Sequence, residues 1–412
     1  TLNKVNMLIG PQSSGKSTIA KVISFCLWLE KDVLMRRNTD YVSWSFVEKQ
    51  LLEFHKLKNY LNEGYAIFFV GDAIDFCYTK DMCFAKLKDG FERCKIGKVA
   101  YIPAERNAVT LPNIASLKMP EYNTRSFIFD WLEVHQKFQK KNAVDLLKLK
   151  LKYYYDESSQ KDMIVLEDGK EIGLEEASSG LQSVVPLYVY VYYLTHWIYD
   201  HQEDISFEKK DRIEGALSRE YIKMFSKQMN VKEAKLSPGF KKILGTAKTL
   251  KKAGNDSLDN LLETVLELEE NISHPHYSNI IVEEPELNLF PETQKDLIYD
   301  LLEMINSGRD HLLMTTHSPY LLYALNNCML GALVQENIPE EEEGLQKMKD
   351  SFVKPEDVSV WEIKNGKFFP YKENPNYTIQ DERGLIRNNY FDRIMKNIMT
   401  DFAALMDYCD ED

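Results

Sequence analysis

The chain has 412 residues, of which 44% are apolar, so its length allows two or three domains and its composition is that of a globular protein. The formal net charge of −13 argues against a general affinity for polyanions, because phosphate contacts need clustered Lys and Arg, but it does not exclude a local basic groove. No run of about 18 apolar residues occurs, so we expect no membrane span. No CxxC pair occurs, so we expect the cysteines to be free thiols in a reducing cytosol. We also expect no signal peptide.

The first predicted elements are a buried strand over 5–9 and a helix over 18–29, with a glycine-rich loop between them. The loop reads GPQSSGKST at positions 10–18, and its place between a strand and a helix distinguishes a Walker A phosphate loop from a chance match. Its glycines let backbone N–H groups face inward, and the helix N-terminus and Lys16 add positive charge. Ser17 is expected to place its hydroxyl on Mg²⁺. The predicted nucleotide-binding residues of this loop are Gly10, Ser13, Ser14, Gly15, Lys16, Ser17 and Thr18.

The region from 38 to 273 combines strand and helix patterns. It predicts a helix over 41–61, strands over 65–70, 76–91 and 99–102, helices over 127–141 and 143–153, a β-hairpin over 163–172, and a long aromatic helix over 178–199. From 202 to about 273 the composition shifts to Lys, Glu and helix formers, which indicates a helical insertion.

The long helix at 178 opens with the sequence SSGLQ. Ser hydroxyls and free N–H groups at a helix start bind phosphate oxygens, which makes Ser178, Ser179, Gly180 and Gln182 candidate phosphate ligands. A plain helix cap explains the same serines, since Ser before a helix is common. The residues alone favour the cap.

Two acidic residues, Glu283 and Glu284, end the next buried strand at 279–284. Phosphoryl transfer to water needs one carboxylate to hold hydrated Mg²⁺ and another to polarise the attacking water, so we assign Glu283 to the metal and Glu284 as the base. An ordinary solvated turn would carry the same pair. His317 ends the following strand, 312–316, where an imidazole can bond the γ-phosphate or serve the fold alone.

The remaining predicted elements are a helix over 291–306 opened by Pro291, a hairpin over 358–371, and a terminal amphipathic helix or helix pair over 384–408.

Four motifs in this order, GPQSSGKST, ASSGLQ, IIVEEPELNLFP and TTHSP, resemble those of the ABC-type ATPase heads of the OLD, RecF and SMC superfamily. Together with YIPAERN at 101–107, they look most similar to the AAA-family ATPases of bacterial anti-phage systems of the PARIS and Septu types. The resemblance implies an α/β fold, with a central mixed or parallel sheet flanked by helices and helical insertions. It implies an ATPase core at 1–107 and 275–375, a helical signature subdomain at 108–200, an insertion at 202–273 and a C-terminal helical segment at 376–412.

The same resemblance implies residue roles and partners. ATP and Mg²⁺ would be held by Lys16 and Ser17 of one subunit, while Ser179, Gly180 and Gln182 of a second subunit would close over the γ-phosphate. Glu284 would activate water and His317 would report hydrolysis. This sequence departs from the usual LSGGQ signature, and no Q-loop glutamine follows a core strand, although Glu105 lies near that place.

Only about 95 residues follow His317, without the acidic strand ends of a Toprim nuclease. The leading hypothesis is therefore a slow, dimer-dependent ATPase that acts as sensor and scaffold for a separate effector nuclease of Toprim or HNH type. The alternatives are a RecF- or SMC-like repair ATPase that grips DNA itself, and a nucleotide switch with negligible turnover.

Overall fold

The computed structural model describes residues 2–60, 64–112, 114, 118–120, 122–201, 267, 270–272, 274–368 and 378–409. The chain divides into two compact units: one comprises Thr1–Val22, Ala100–His196 and Asn279–Asp412, and the other comprises Ile23–Val99 and Trp197–Ser278. The predicted insertion at 202–273 lies almost wholly outside the described residues. The predicted domain boundaries stay predictions.

The strands are β1 (Val5–Ile9), β2 (Ala66–Val70), β3 (Ile74–Thr79), β4 (Cys83–Leu87), β5 (Gly97–Ile102), β6 (Val144–Leu146), β7 (Leu151–Asp156), β8 (Lys161–Val165), β9 (Glu171–Gly173), β10 (Tyr277–Glu283), β11 (His311–Thr316), β12 (Val358–Lys364) and β13 (Lys367–Phe368). The helices are α1 (Lys16–Arg36), α2 (Trp44–Val47), α3 (Asn123–Val134), α4 (Ser179–Tyr192), α5 (Ile198–Asp200), α6 (Pro291–Asn306), α7 (Pro319–Val334), α8 (Glu343–Gln346) and α9 (Tyr390–Met406).

A six-stranded sheet in the order β13-β12-β1-β11-β10-β5 carries the phosphate loop at the end of β1. β1 lies between β11 and β12 and pairs in parallel with both, β10 pairs in parallel with β11, and only the β12–β13 hairpin is antiparallel among these pairs. β1 is buried along its whole length, as its continuous apolar sequence predicts for a strand covered on both faces. The predicted α/β fold with a mixed sheet and flanking helices is confirmed. The carboxyl ends of β1, β10 and β11 therefore meet at one edge of the sheet.

The prediction of a helix over 143–153 is wrong. β6 and β7 occupy this segment and belong to a four-stranded antiparallel sheet with β8 and β9. Val144 and Leu146 are buried while Asp145 is exposed, which is the period of two of a strand, and Leu147 and Lys150 take positive φ in the connecting turn. The predicted signature subdomain at 108–200 thus contains a sheet as well as helices.

Other predicted elements are present with different bounds. Within the predicted helix at 41–61, only α2 is α-helical, and a π-helical turn at Glu48–Glu53 follows it. The helix predicted over 127–141 is displaced to α3 and is followed by a short 3₁₀ turn. The predictions at 163–172 and 291–306 are confirmed as the β8–β9 hairpin and as α6.

None of the helices in the described ranges is long and apolar enough to cross a membrane. The terminal helix α9 begins at an Asn389–Asp392 capping box and has no buried residue, although one of its faces is apolar. Ile398, Phe402 and Leu405 on that face are more than half exposed.

Helices α4 and α6 are joined by a half-buried acid, Asp300, whose titration affects stability. The Tyr188 hydroxyl donates to Asp300 Oδ2 at 3.2 Å, and burial raises the pKa of Asp300 to about 6 from 3.8. The folded protein therefore holds a proton that the unfolded chain releases between pH 4 and 6, so this group lowers stability as pH rises through that window. We expect Asp300→Asn, which still accepts the Tyr188 hydrogen bond, to raise the melting temperature at pH 7 by about 2 °C or more. It should have little effect at pH 4; equal shifts at both pH values would contradict the assignment.

Candidate nucleotide-binding and hydrolysis site

The phosphate loop is shaped by two glycines and by a neighbouring hairpin. Gly10 has φ of 143°, and a Cβ at this position would lie 2.1 Å from the Ile363 carbonyl oxygen of β12. Gly15 has φ of 101°, and the Gly366 N–H donates to the Ser14 carbonyl at 2.9 Å. Only glycine fits at Gly10, because any side chain would meet both an unfavourable φ and the β12 backbone.

Lys16 is the buried cation of this loop. Its Nζ donates to the carbonyls of Gly10 and Pro11, both at 2.9 Å, and lies 3.5 Å from His317 Nδ1. Burial lowers the pKa of Lys16 to about 8, while nearby Glu284 and Glu286 act in the opposite direction. The ammonium group is thus placed at the centre of the loop, where it can exchange carbonyl partners for phosphate oxygens.

The β10 strand delivers its two terminal acids into different surroundings. Glu283 is buried, whereas Glu284 turns outward with φ of 44° and its N–H donates to the Thr315 carbonyl at 2.9 Å. Glu284 Oε1 lies 3.4 Å from His317 Nε2, and this interaction, helped by Lys16 and Arg106, lowers the pKa of the Glu284 carboxyl. Glu284 is therefore ionised at neutral pH.

Glu283 fits a magnesium ligand. Its Oε1 is buried and has no hydrogen-bond partner among the residues that the structure describes, which is costly for a carboxylate unless a cation or its water is bound there. The described residues contain no cluster of three side chains that would bind a metal by themselves. Mg²⁺ is usually held by one or two carboxylates together with phosphates and water, so Glu283 and Ser17 suit a metal that arrives with a nucleotide.

His317 lies between the phosphate loop and the acids. Its N–H donates to Glu286 Oε1 at 2.6 Å, and its ring contacts both Lys16 and Glu284. The next residue, Ser318, caps α7 by accepting from the Tyr320 N–H at 3.1 Å, which fixes the end of β11.

Two residues of this site were not assigned roles from the sequence. Glu286 is the third acid of EEPE; burial raises its pKa, and it positions the His317 backbone. Arg106 of YIPAERN is fully buried and donates to the carbonyls of Glu283 and Glu284 at 2.9 Å. The available signals were the extra acid after the Glu pair and a charged residue directly following a core strand.

The signature candidates form the first turn of α4. Ser178 is the cap, its Oγ accepting from the Leu181 N–H at 3.4 Å, and the Gln182 side chain donates to the Glu175 carbonyl at 2.9 Å. Ser178 and Ser179 are exposed. A Cβ at Gly180 would lie 2.9 Å from the Asn288 carbonyl oxygen, so this turn packs on the segment after the acids.

The structure therefore brings Lys16, His317 and Glu284 into contact, and it places Glu283 next to Glu284 at the end of β10. In the residues that the structure describes, no hydrogen bond joins Ser178–Gln182 to the phosphate loop. Within one chain the turn Ser178–Gln182, which we call the signature turn, acts as a helix cap. Its predicted contact with a nucleotide stays a prediction.

Residues 197–322 match the family model of an AAA ATPase domain. This range contains Glu283, Glu284 and His317 but not the phosphate loop, and it covers less than half of the chain. Among 18 matching chains of solved structure is the crystal structure of an SMC head bound to the C-winged helix domain of ScpA. It is 12% identical over 55% of this chain and 84% of that chain, with a TM-score of 0.11, which does not establish a shared arrangement. A search of curated proteins finds no match.

Proposed function

We propose that this protein binds ATP with Mg²⁺ and hydrolyses it at the edge of the sheet where β1, β10 and β11 end. The observation that carries the proposal is the contact chain Lys16–His317–Glu284, in which each step is 3.5 Å or shorter. A cation and an ionised carboxylate next to a phosphate loop are groups that phosphoryl transfer to water uses, and the imidazole between them can donate to a phosphate oxygen. The match to an AAA ATPase domain supports this activity.

Each residue then has a distinct task. The loop from Gly10 to Thr18, with Lys16, would bind the phosphates. Ser17 and Glu283 would hold Mg²⁺, which would neutralise phosphate charge. Glu284 accepts a hydrogen bond from the attacking water and orients it, while His317 donates to the γ-phosphate. Loss of that phosphate would remove this partner of His317 and leave its ring in contact with Lys16 and Glu284, as in the structure.

We further propose that the site is completed by a second copy of the chain. Ser179, Gly180 and Gln182 lie on an exposed helix start, where hydroxyl and N–H groups suit a phosphate presented from outside. A site completed only in the dimer stabilises that dimer in proportion to its occupancy by ligand.

The test is to measure phosphate release from ATP and molecular mass in solution, with and without ATP. We expect Mg²⁺-dependent release that stops in EDTA, and a doubling of mass with ATP. Turnover by a species that stays monomeric at every ATP concentration would refute the shared site while leaving the ATPase intact. Absence of both nucleotide binding and turnover would refute the proposed activity.

The proposed biological role is that of a sensor and scaffold in an anti-phage system, controlling a separate nuclease of Toprim or HNH type. The order and the amino-acid sequences of the motifs at 10–18, 177–182, 280–291 and 315–319 support this role. Co-purification of the chain with the nuclease encoded beside it, with and without ATP, tests this role. ATP-stimulated, salt-sensitive binding of duplex DNA by the chain alone would instead identify a repair ATPase that contacts DNA directly.

A further inference from the structure

One fully buried arginine joins two parts of the first unit that are far apart in sequence. Arg106 lies in the 3₁₀ turn Ala104–Thr110 that follows β5. Its Nη1 donates to the Glu283 carbonyl and its Nη2 to the Glu284 carbonyl, each at 2.9 Å, while its Nε donates to the Ser183 carbonyl, also at 2.9 Å. The carbonyls of Pro103 and Pro285 also accept from it, so every hydrogen-bond acceptor of this guanidinium among the described residues is a backbone carbonyl.

The first end of this connection fixes the turn at Glu283 and Glu284, which we call the acidic turn. The carbonyls of Glu283 and Glu284 belong to the residues that we assign to the metal and to the attacking water. Glu284 has a left-handed φ, which is unfavourable for a non-glycine residue and persists only where surrounding contacts hold it. A planar, rigid guanidinium fork is suited to hold two adjacent carbonyls in one orientation.

The second end lies on helix α4 at Ser183, the residue directly after the last proposed signature residue, Gln182. Pro186 within this helix has no N–H, so the Gln182 carbonyl loses its usual helical partner and the first turns are less constrained by the helix itself. Arg106 bonds the carbonyl of the next residue, Ser183, and thereby ties this weakened stretch to the acidic turn. The packing of Gly180 on the Asn288 carbonyl is a second contact between the same two segments.

We propose that Arg106 is a positioning residue that couples the acidic turn, which serves the nucleotide bound by its own chain, to the signature turn, which serves the nucleotide bound by the partner copy. The inference rests on the proposed shared site. A shift of the Glu283–Glu284 backbone on hydrolysis would be transmitted through the guanidinium to α4, and so to the second nucleotide. These carbonyls accept hydrogen bonds from Arg106, so Arg106 acts on a nucleotide only through the residues that it holds.

The variant Arg106→Lys tests this, because it keeps the positive charge but cannot donate to Ser183 and to the acidic turn at once. We expect ATP affinity close to that of the parent, since the phosphate loop is untouched, together with a fall in kcat of about tenfold or more. The Hill coefficient for ATP turnover should fall from above 1 in the parent to about 1. Arg309→Lys, in the exposed turn before β11, is the matched control and should change neither quantity.

The outcomes separate the coupling from the activity. A parent protein without ATP turnover would refute the proposed function itself. An active parent whose Arg106→Lys variant keeps the parental kcat and Hill coefficient would refute the coupling alone. If Arg106→Lys loses ATP affinity and thermal stability together, the residue is a general support of the fold, and the coupling is likewise refuted. Arg106→Ala with added methylguanidinium is the second test, in which we expect kcat and cooperativity to recover together; recovery of kcat alone would overturn the coupling.

Discussion

Glu284→Gln is expected to lower ATP turnover by about 100-fold or more while leaving ATP binding intact. The Glu284 carboxylate is ionised, because its contact with His317 lowers its pKa, so the substitution removes a real negative charge from the place where water must be polarised. The amide is nearly isosteric and adds no volume at the turn. Single-turnover phosphate release and equilibrium ATP binding measure the two effects separately.

The same variant should accumulate as an ATP-bound dimer, since hydrolysis is what would separate the copies. Glu303→Gln, an exposed glutamate on α6, is the matched control and should behave as the parent protein. A Glu284→Gln protein with parental turnover would show that another group orients the water. If the parent protein binds ATP without turnover, and Glu284→Gln traps no dimer, the protein is a nucleotide switch.

The sheet that carries the site was predictable because its strands are continuous apolar runs ended by distinctive polar residues. β1, β10 and β11 are buried on both faces, and each ends in a motif that marks the active edge of a parallel sheet. The segment at 143–153 was not predictable in the same way. Its leucines and tyrosines fit a helical period as well as an alternating one, and pairing of β7 with β8 decided the outcome.

The acids and the histidine of the site were found because each lies next to its motif in sequence. Arg106 was not, because four of its five acceptors lie 77 to 179 residues away and all five are backbone carbonyls, which leave no trace in side-chain patterns. The signature turn shows a further limit. The same Ser178 satisfies a helix cap within one chain and is exposed to a partner, so one copy alone does not distinguish the two roles.

Lys16→Ala is expected to weaken ATP binding by about 10- to 100-fold, the loss of one or two hydrogen bonds to a charged group. The effect has two sources that act in the same direction. The phosphates lose a charge-assisted donor, and Glu284 and Glu286 lose the cation that offsets their negative charge next to an anionic ligand. Isothermal titration with ATP in EDTA, where turnover is suppressed, measures the affinity.

The substitution should spare the fold, because the lysine's partners Gly10 and Pro11 are carbonyls of a loop whose shape is set independently by the β12–β13 hairpin. Lys21→Ala, further along α1 and half-buried, removes the same charge from the same helix and should leave ATP affinity unchanged. Lys16→Ala should also need about 10- to 100-fold more ATP to double its mass, since the ligand that joins the copies binds it more weakly. Parental affinity in Lys16→Ala would mean that the loop does not bind the phosphates. The roles of Ser17, Glu283 and Glu284, which are assigned relative to phosphates bound there, would then be refuted as well.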